Sequence, residues 1–591
     1  MNSSRLKYEG WLYGLAFLVA IGFRLIQLGA SPLTDSEATL ALQALNITRG
    51  TAPLLGPQPA YILFTSVLFS IIKNTNFMAR LIPALVGCTL VFVPYFFRDQ
   101  LRPRPALILA FFFAIDPGLV ALSRQANGTM LAVTFSLFAA AMWTNRRLLP
   151  AGIFAGLALL SGTSLWAGLL SVGLAWFFLQ GIESRSKTDQ SPISDSQLSR
   201  SIPAGPITNY REASLGDSLR PALLALVITL VLGGTLFFLV PNGLSAWVSS
   251  LPAYLKGWVS PSVMTPGRIL FAMIAYEPLG LFLAILSLIR GYRTGSTRII
   301  RLSIWLGVTL LLAIFYRQPS ELAWTIIPML ALAALELSRS LHVFSSERLE
   351  VGIVTIALLI LLTYIWFDIA AIGLDPFNQY AVAVPLLGGT QNPRYIILYG
   401  AFAILVACIA FVGFGWSART AWLGSAWAFI IFFAVYTLGA AWGGSGMRYA
   451  NGVELWSPDL KPVQAKLLIS SVDDISDLSV GHELSQPVTI MGLNSPALEW
   501  LLRNHEVKVV DTLDPQSAPP LVITLPMNDL KLASAYRGEA FTWRQTVQYN
   551  SMKPQEWWRW LVNRQLPRKD EQVILWARDD LFPDARKQNS Q

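Results

Sequence analysis

Apolar residues in this chain do not alternate with polar ones; they come in long runs separated by short loops rich in arginine. Runs near 11–28, 78–97, 105–122, 129–143, 149–161, 163–181, 221–241, 268–289, 302–316, 322–338, 350–370, 395–415 and 420–441 approach the roughly 20 residues an α-helix needs to cross a bilayer. The pattern predicts about 13 transmembrane helices. A further run, Ala60 to Ile72, is short and lies between Pro57, Pro59 and Lys73-Asn74, so it reads as an interfacial or re-entrant helix.

After residue 441 the period changes. Short β-branched runs at Pro487–Gly492, Val507–Asp511, Leu521–Leu525 and Val573–Trp576 read as strands, and Ser495–Arg503 and Pro554–Arg564 as helices. The expected architecture is a polytopic α-helical membrane domain, 1–441, followed by a small α/β domain, 442–591. Within the first, 182–219 is rich in Ser, Pro and charge and reads as a disordered loop. The cluster Glu556-Trp-Trp-Arg-Trp560 suits either the headgroup level of a membrane or packing within the domain.

Composition excludes an ordinary soluble protein, because 54% hydrophobic against 13% charged residues is more apolar surface than one core can bury. The net charge of +9 sits in the membrane domain, since 442–591 hold 16 Lys+Arg against 18 Asp+Glu. It is a topology signal and calls for no nucleic-acid partner. If Ala60–Ile72 does not cross, the loops at Arg98/Arg102/Arg104, Arg146/Arg147, Arg185 to Arg220, Arg290/Arg293/Arg298/Arg301, Arg339/Arg348 and Arg419 share a side with Arg5 and Lys7. The positive-inside rule then expects a cytoplasmic N-terminus and an extracytoplasmic C-terminal domain, in a bacterial plasma membrane. The first span reads as a retained signal anchor. Cys88 and Cys408 lie inside apolar runs and read as small apolar residues, and three histidines form no zinc spacing.

The candidate chemistry begins in the first exported loop, 29–77. Asp35 and Glu37, in Ser31-Pro-Leu-Thr-Asp-Ser-Glu-Ala-Thr39, are carboxylates held beside a membrane, where desolvation is costly. They read either as a catalytic or substrate-binding pair or as caps of the helix that follows, with Thr34 or Asp35 as N-cap.

This acid pair is followed by an amphipathic stretch ending in Arg-Gly, the short apolar helix, Asn76-Phe-Met-Ala-Arg-Leu-Ile-Pro-Ala-Leu-Val-Gly87, and then Asp116-Pro-Gly-Leu-Val-Ala-Leu-Ser-Arg-Gln-Ala-Asn-Gly-Thr-Met130. In order and spacing the segments resemble the opening of the GT-C superfamily of membrane glycosyltransferases, in its protein O-mannosyltransferase and lipid A aminoarabinose transferase branch. The resemblance covers 11–145, continues to 441 as span count and topology, and is weak beyond. It implies a GT-C fold and transfer of a sugar from a polyprenyl-phosphate donor to a lipid, glycan or protein hydroxyl on the exported side. Relatives usually carry adjacent Asp and Glu, whereas here Ser36-Glu37-Ala38 holds that register. Asn127-Gly128 stands where many have an Asp.

Such a transfer needs a base at the acceptor hydroxyl and cations at the leaving phosphate. Asp35 is the expected base and Glu37 its support, with Arg80 and Arg124 at the donor phosphate and Asn127, Lys256, Arg268 and Arg317 as weaker candidates. The loop 371–394, with Asp375, Asn378, Gln379 and Tyr380, has groups that hydrogen-bond sugars. No cofactor and no metal are expected; the alternative is a divalent cation held by Asp35 and Glu37. The second functional reading is a non-catalytic protein of the same fold that handles polyprenyl-linked glycans. A transporter would need mid-span ionisable groups beyond Arg24 and a repeat. Trp557-Trp558-Arg559-Trp560 lacks the Asp, Tyr and Gly of the oligosaccharyltransferase signature.

Overall fold

A computed structural model describes residues 8–582 apart from 52, 189–214, 261–263, 344–347, 375–381, 385–388, 392, 448–452, 457–459, 548, 550 and 551. Most of the 182–219 loop, and Asp375, Asn378, Gln379 and Tyr380, lie outside the described residues. The chain opens with α1 (Glu9–Leu25), α2 (Asp35–Thr48), α3 (Pro59–Ile71), α4 (Asn76–Thr89) and the single turns α5 (Val93–Phe96) and α6 (Arg98–Leu101). Then come α7 (Pro103–Ile115), α8 (Pro117–Ser123), α9 (Thr129–Thr144), α10 (Leu148–Leu159), α11 (Ser164–Thr188), α12 (Leu215–Gly234) and α13 (Asn242–Val259). The membrane domain ends with α14 (Pro266–Tyr276), α15 (Pro278–Thr294), α16 (Thr297–Tyr316), α17 (Leu322–Val343), α18 (Arg348–Leu374), α19 (Pro393–Gly415) and α20 (Ala418–Gly444).

Among the described residues seven helices are long and apolar enough to cross a membrane, or up to nine if each of two bent pairs is one span. The runs 105–122 and 268–289, which the apolar pattern presents as continuous, are these bent pairs. α7 and α8 meet at 54° and α14 and α15 at 94°. Proline causes both breaks, because Pro117 and Pro278 cannot donate to the preceding turn and instead start the second helix. The residue before each, Asp116 or Glu277, is buried, and Asp116 caps α8 by accepting the Leu119 N–H at Oδ1 (2.7 Å).

α3 lies along one face of the helical domain. The Ala60 N–H near its start donates to the Leu160 carbonyl (2.9 Å), and Phe69 near its end packs on Trp500 of the C-terminal domain (5.7 Å between rings). Thirteen residues also reach only about 20 Å, short of the hydrocarbon thickness.

The C-terminal domain adds α21 (Ala465–Val480), α22 (Pro496–Leu501) and α23 (Pro554–Asn563). A short ladder of β1 (Val382–Val384) and β2 (Gly389–Gln391) precedes its sheet of β3 (Val488–Met491), β4 (Val507–Val510), β5 (Leu521–Thr524), β6 (Tyr536–Val547) and β7 (Arg568–Arg578), in the order β4-β3-β5-β7-β6. β3 is parallel to β4 and β5, and β7 is antiparallel to β5 and β6. Strand β6 and helix α21 were not among the elements read from the sequence. One face of the sheet shares its core with the membrane domain, Val488, Ile490, Trp500 and Trp543 clustering with Ala38, Ala41 and Tyr61 of α2 and α3, while Val522, Leu530 and Trp576 form a cluster within the C-terminal domain itself. Trp560 of the tryptophan cluster is fully buried and donates its indole N–H to the Val453 carbonyl (2.7 Å), and Trp557 packs on Phe271 of α14 (4.9 Å). Of the two readings open for that cluster, these contacts are packing within the protein.

Candidate functional site

The acid pair divides at the first turn of α2. Thr34 is the N-cap and Glu37 completes a capping box, its carboxylate accepting the Thr34 backbone N–H at 3.0 Å. That orientation turns Glu37 inward, where Arg80 of α4 meets it with two bonds, Nε to Oε1 at 2.8 Å and Nη2 to Oε2 at 2.7 Å. The Ala126 N–H donates to Oε1 as well (2.9 Å). Burial alone raises the Glu37 carboxyl, yet the charge and hydrogen bonds of Arg80, with the N–H groups of Thr34 and Ala126, hold it below its ordinary value. The remaining Arg80 donors go to the carbonyls of Leu28, Ser31 and Pro32 and to the Ser31 hydroxyl. Both groups are saturated, and together they pin the α1–α2 loop to α4 and to the turn before α9.

Asp35 points the other way. Its Oδ1 accepts from the Ser495 hydroxyl (2.8 Å) and the Ala497 N–H (3.0 Å), so it caps α22 from outside that helix, and its Oδ2 pairs with Arg544 of β6. The expected base is thus engaged in the seam with the C-terminal domain and does not line the cavity described next. Each carboxylate holds its own arginine, so the two do not converge on a shared cation. Among the described residues no three His, Cys, Asp or Glu side chains are grouped as metal ligands.

A cavity of about 450 Å³ opens where the membrane domain meets the C-terminal domain. Its walls include Glu37, Arg80, Arg124, Gln125, Glu454, Trp456, Lys461 and Lys466, together with Gly443-Gly444-Ser445-Gly446 and the first turn of α21. Four cations face two carboxylates, and the open end of α21 adds the unpaired N–H groups of a helix N-terminus. The lining carries more cations than carboxylates.

The cations differ in what they have left to give. Arg124 donates to the carbonyls of Phe23, Arg24, Ile26 and Gln27, closing the C-terminal end of α1. Burial, with Arg80 and Arg24 nearby, lowers its guanidinium to about 10, so it stays charged at neutral pH. Arg80 and Arg124 therefore supply field rather than free donors. Lys461 is half-buried, and no ion pair or hydrogen bond within the described residues occupies its ammonium. Burial, reinforced by Arg80, lowers its pKa, and Glu37 and Glu454 oppose that shift.

Glu454 is the second carboxylate of the cavity. Its Oε2 accepts the Tyr276 hydroxyl and its Oε1 lies 3.7 Å from the Arg564 guanidinium. Neither Lys461 nor Glu454 was singled out in the sequence; Lys461 lies in Pro458-Asp-Leu-Lys-Pro462, where the flanking prolines were the available sign of a fixed loop.

The weaker candidates lie elsewhere. Asn127 accepts the Thr129 N–H at the start of α9 (3.0 Å), Lys256 is exposed on the last turn of α13, Arg268 stacks over Tyr549 (4.2 Å), and Arg317 ends α16 with φ +59°. None of the four lines the cavity. Gly443 and Gly444 end α20, Ser445 and Gly446 turn out of it, and all four line the cavity; Gly444 lets α20 approach the Pro117 carbonyl (3.3 Å from a Cβ at that position).

Whole and broken apolar helices, a short α2–α3 pair packed between them and the sheet domain, and a cation-lined cavity are those of an integral membrane protein of the GT-C fold. Solved structures with this fold include ArnT from Cupriavidus metallidurans bound to undecaprenyl phosphate, which superposes with a TM-score of 0.52 at 12% identity over 98% of this chain and 99% of that one. The same ArnT in the apo state gives 0.51 at 13% identity over 97% and 99%. No protein-family model and no curated sequence matches the chain.

Proposed function

We propose that the protein is a membrane glycosyltransferase that takes a sugar from a polyprenyl-phosphate donor and gives it to a lipid, glycan or protein hydroxyl. The observation that carries this reading is the cavity in which Lys461, Lys466, Arg124 and the start of α21 surround space for an anion beside Glu454. The ArnT structure with bound undecaprenyl phosphate supports the choice of donor.

In the step, the acceptor oxygen bonds to the anomeric carbon while the bond from that carbon to the donor phosphate oxygen breaks. The phosphate leaves with the electron pair, and Lys461, in the field of Arg124, stabilises its charge. Glu454 takes the acceptor proton, and the Tyr276 hydroxyl orients that carboxylate. Asp35 and Glu37 are positioning residues in this scheme, which uses no cofactor. The cavity and the C-terminal domain lie on the extracytoplasmic side of a bacterial plasma membrane and the basic loops in the cytoplasm.

The test is transfer of labelled sugar from polyprenyl-phosphate hexose or pentose to lipid and peptide extracts, by wild type and Glu454→Gln. Transfer by the wild type that Glu454→Gln loses supports the reading. Tight donor binding without transfer in any extract favours the non-catalytic handler, a reading for which Ser36 in the register of the relatives' acid also speaks.

A further inference from the structure

Helix α21 turns a different face to each of two cavities. Lys466 and Leu467 line the cation cavity, whereas Ile469 and Asp473, at the four-residue spacing that keeps side chains on one helix face, line a second one of about 390 Å³. Pro32, Pro462 and Ala465 belong to both and form the wall between them. The volume falls in the range of small-molecule sites, about 300–1,000 Å³. Charge separates the two cavities. Around the second, the ionisable side chains are Asp473, Arg503 and His505, and two of these are paired, His505 Nε2 meeting Asp473 Oδ1 at 2.9 Å. Arg503 gives its Nε and Nη1 to the carbonyls of Asn74 (2.9 Å) and Trp500 (2.8 Å).

One buried atom is left over. A carboxylate only accepts, so Nε2 of His505 carries the proton and Nδ1 of the neutral ring presents a lone pair. The His505 side chain is fully buried, yet this Nδ1 has no partner among the described residues. Buried polar atoms are rarely left so. Pairing it requires a hydrogen-bond donor from whatever fills the cavity. A fully ionised phosphate brings none, but a sugar hydroxyl does. Asn504, exposed at the rim, and Asn76, whose Oδ1 takes the Trp500 indole N–H (2.8 Å), have amide N–H groups for the neighbouring hydroxyls. Leu33, Phe77 and Ile469 offer apolar surface to the C–H face of a pyranose ring. We propose that this cavity binds a neutral sugar residue and holds a glycan beside the cation cavity, as a binding site outside the transfer step. The inference needs neither the donor nor the base assigned above.

The full-length protein in phosphatidylcholine nanodiscs is titrated with glucose, mannose, galactose and N-acetylglucosamine and followed by saturation-transfer difference NMR. At least one should bind saturably, and His505→Phe and Asn504→Ala should each weaken it about two- to tenfold, the worth of one neutral hydrogen bond. Asp474→Asn, exposed on α21 and outside the cavity, is the control and should leave affinity unchanged. Because Asn504 is exposed, Asn504→Ala carries the test should His505→Phe lose its thermal transition and fail to fold. Absence of binding by every sugar overturns the proposal, as does an affinity that neither variant changes. Displacement of the bound sugar by inorganic phosphate or by a tripeptide at equal concentration assigns the cavity to another ligand and overturns it as well.

Discussion

Asp35 and Arg544 form an ion pair across 509 residues of sequence, joining the first turn of α2 to strand β6 of the C-terminal domain. The same carboxylate caps α22, so one side chain holds two elements of the sheet domain against the membrane domain. Arg49, which donates to the Arg503 carbonyl (2.6 Å), and Trp500, which donates to Asn76 (2.8 Å), extend the seam. The cavity wall is shared across this seam, and the clamp therefore sets its geometry.

Asp35→Asn should reduce transfer without abolishing it and speed hydrogen exchange in α22. The pair is partly exposed and contributes about 1 kcal/mol or less as a salt bridge. Arg544→Gln should have the same effect, and the double variant should be no worse than either single one, because both remove one contact. Additive losses would separate the two residues.

Glu37→Gln leaves the Arg80 guanidinium buried without its charge partner, which typically costs about 3–5 kcal/mol. A large fall in the thermal midpoint of the detergent-purified protein checks this. Because the folded carboxyl lies below its ordinary value, its contribution is full above the unfolded pKa of about 4.3 and is lost as pH falls through the folded value. The wild-type advantage over Glu37→Gln should therefore be flat at neutral pH and shrink only in strongly acidic buffer.

Lys461→Met should weaken donor binding about ten- to a hundredfold, the worth of one charge-assisted hydrogen bond. Burial lowers the ammonium, so binding should decline as pH rises from a lower point than the ordinary lysine value of about 10.4. Lys461→Arg, which stays charged, should remove that alkaline decline in a titration of affinity against pH.

Gly118→Val should distort the cavity from behind. A Cβ at Gly118 lies 2.6 Å from Ile326 and 2.7 Å from the Trp456 ring, which lines the cavity. Overpacking of this kind costs about 1–3 kcal/mol. Lower thermal stability together with a shift in Trp456 fluorescence would register the displaced ring.

The membrane architecture was legible because a span needs a long apolar run, and a helix start at Thr34 or Asp35 was legible too, with the structure making Thr34 the N-cap. Arg80 and Arg124 were expected at the donor phosphate, and the sequence did not show that their donors are used by Glu37 and by backbone carbonyls. Those partners lie up to 101 residues away, beyond any local pattern. The helix breaks were marked by Asp116-Pro117 and Glu277-Pro278, yet the runs around them are apolar enough to read as single spans. Strand β6 was hidden because its solvent-facing half, Arg537 to Ala540, is polar or small and breaks the β-branched pattern. Lys461 and Glu454 acquire meaning only when the C-terminal domain folds back on α2 and α20, a juxtaposition that periodicity does not encode.

The most direct measurement is a cryo-electron microscopy structure of the full-length protein in nanodiscs with undecaprenyl phosphate. The account predicts phosphate density within hydrogen-bonding distance of the Lys461 ammonium, between Arg124 and the first turn of α21. An empty cavity, with the lipid phosphate bound at another surface, would contradict it.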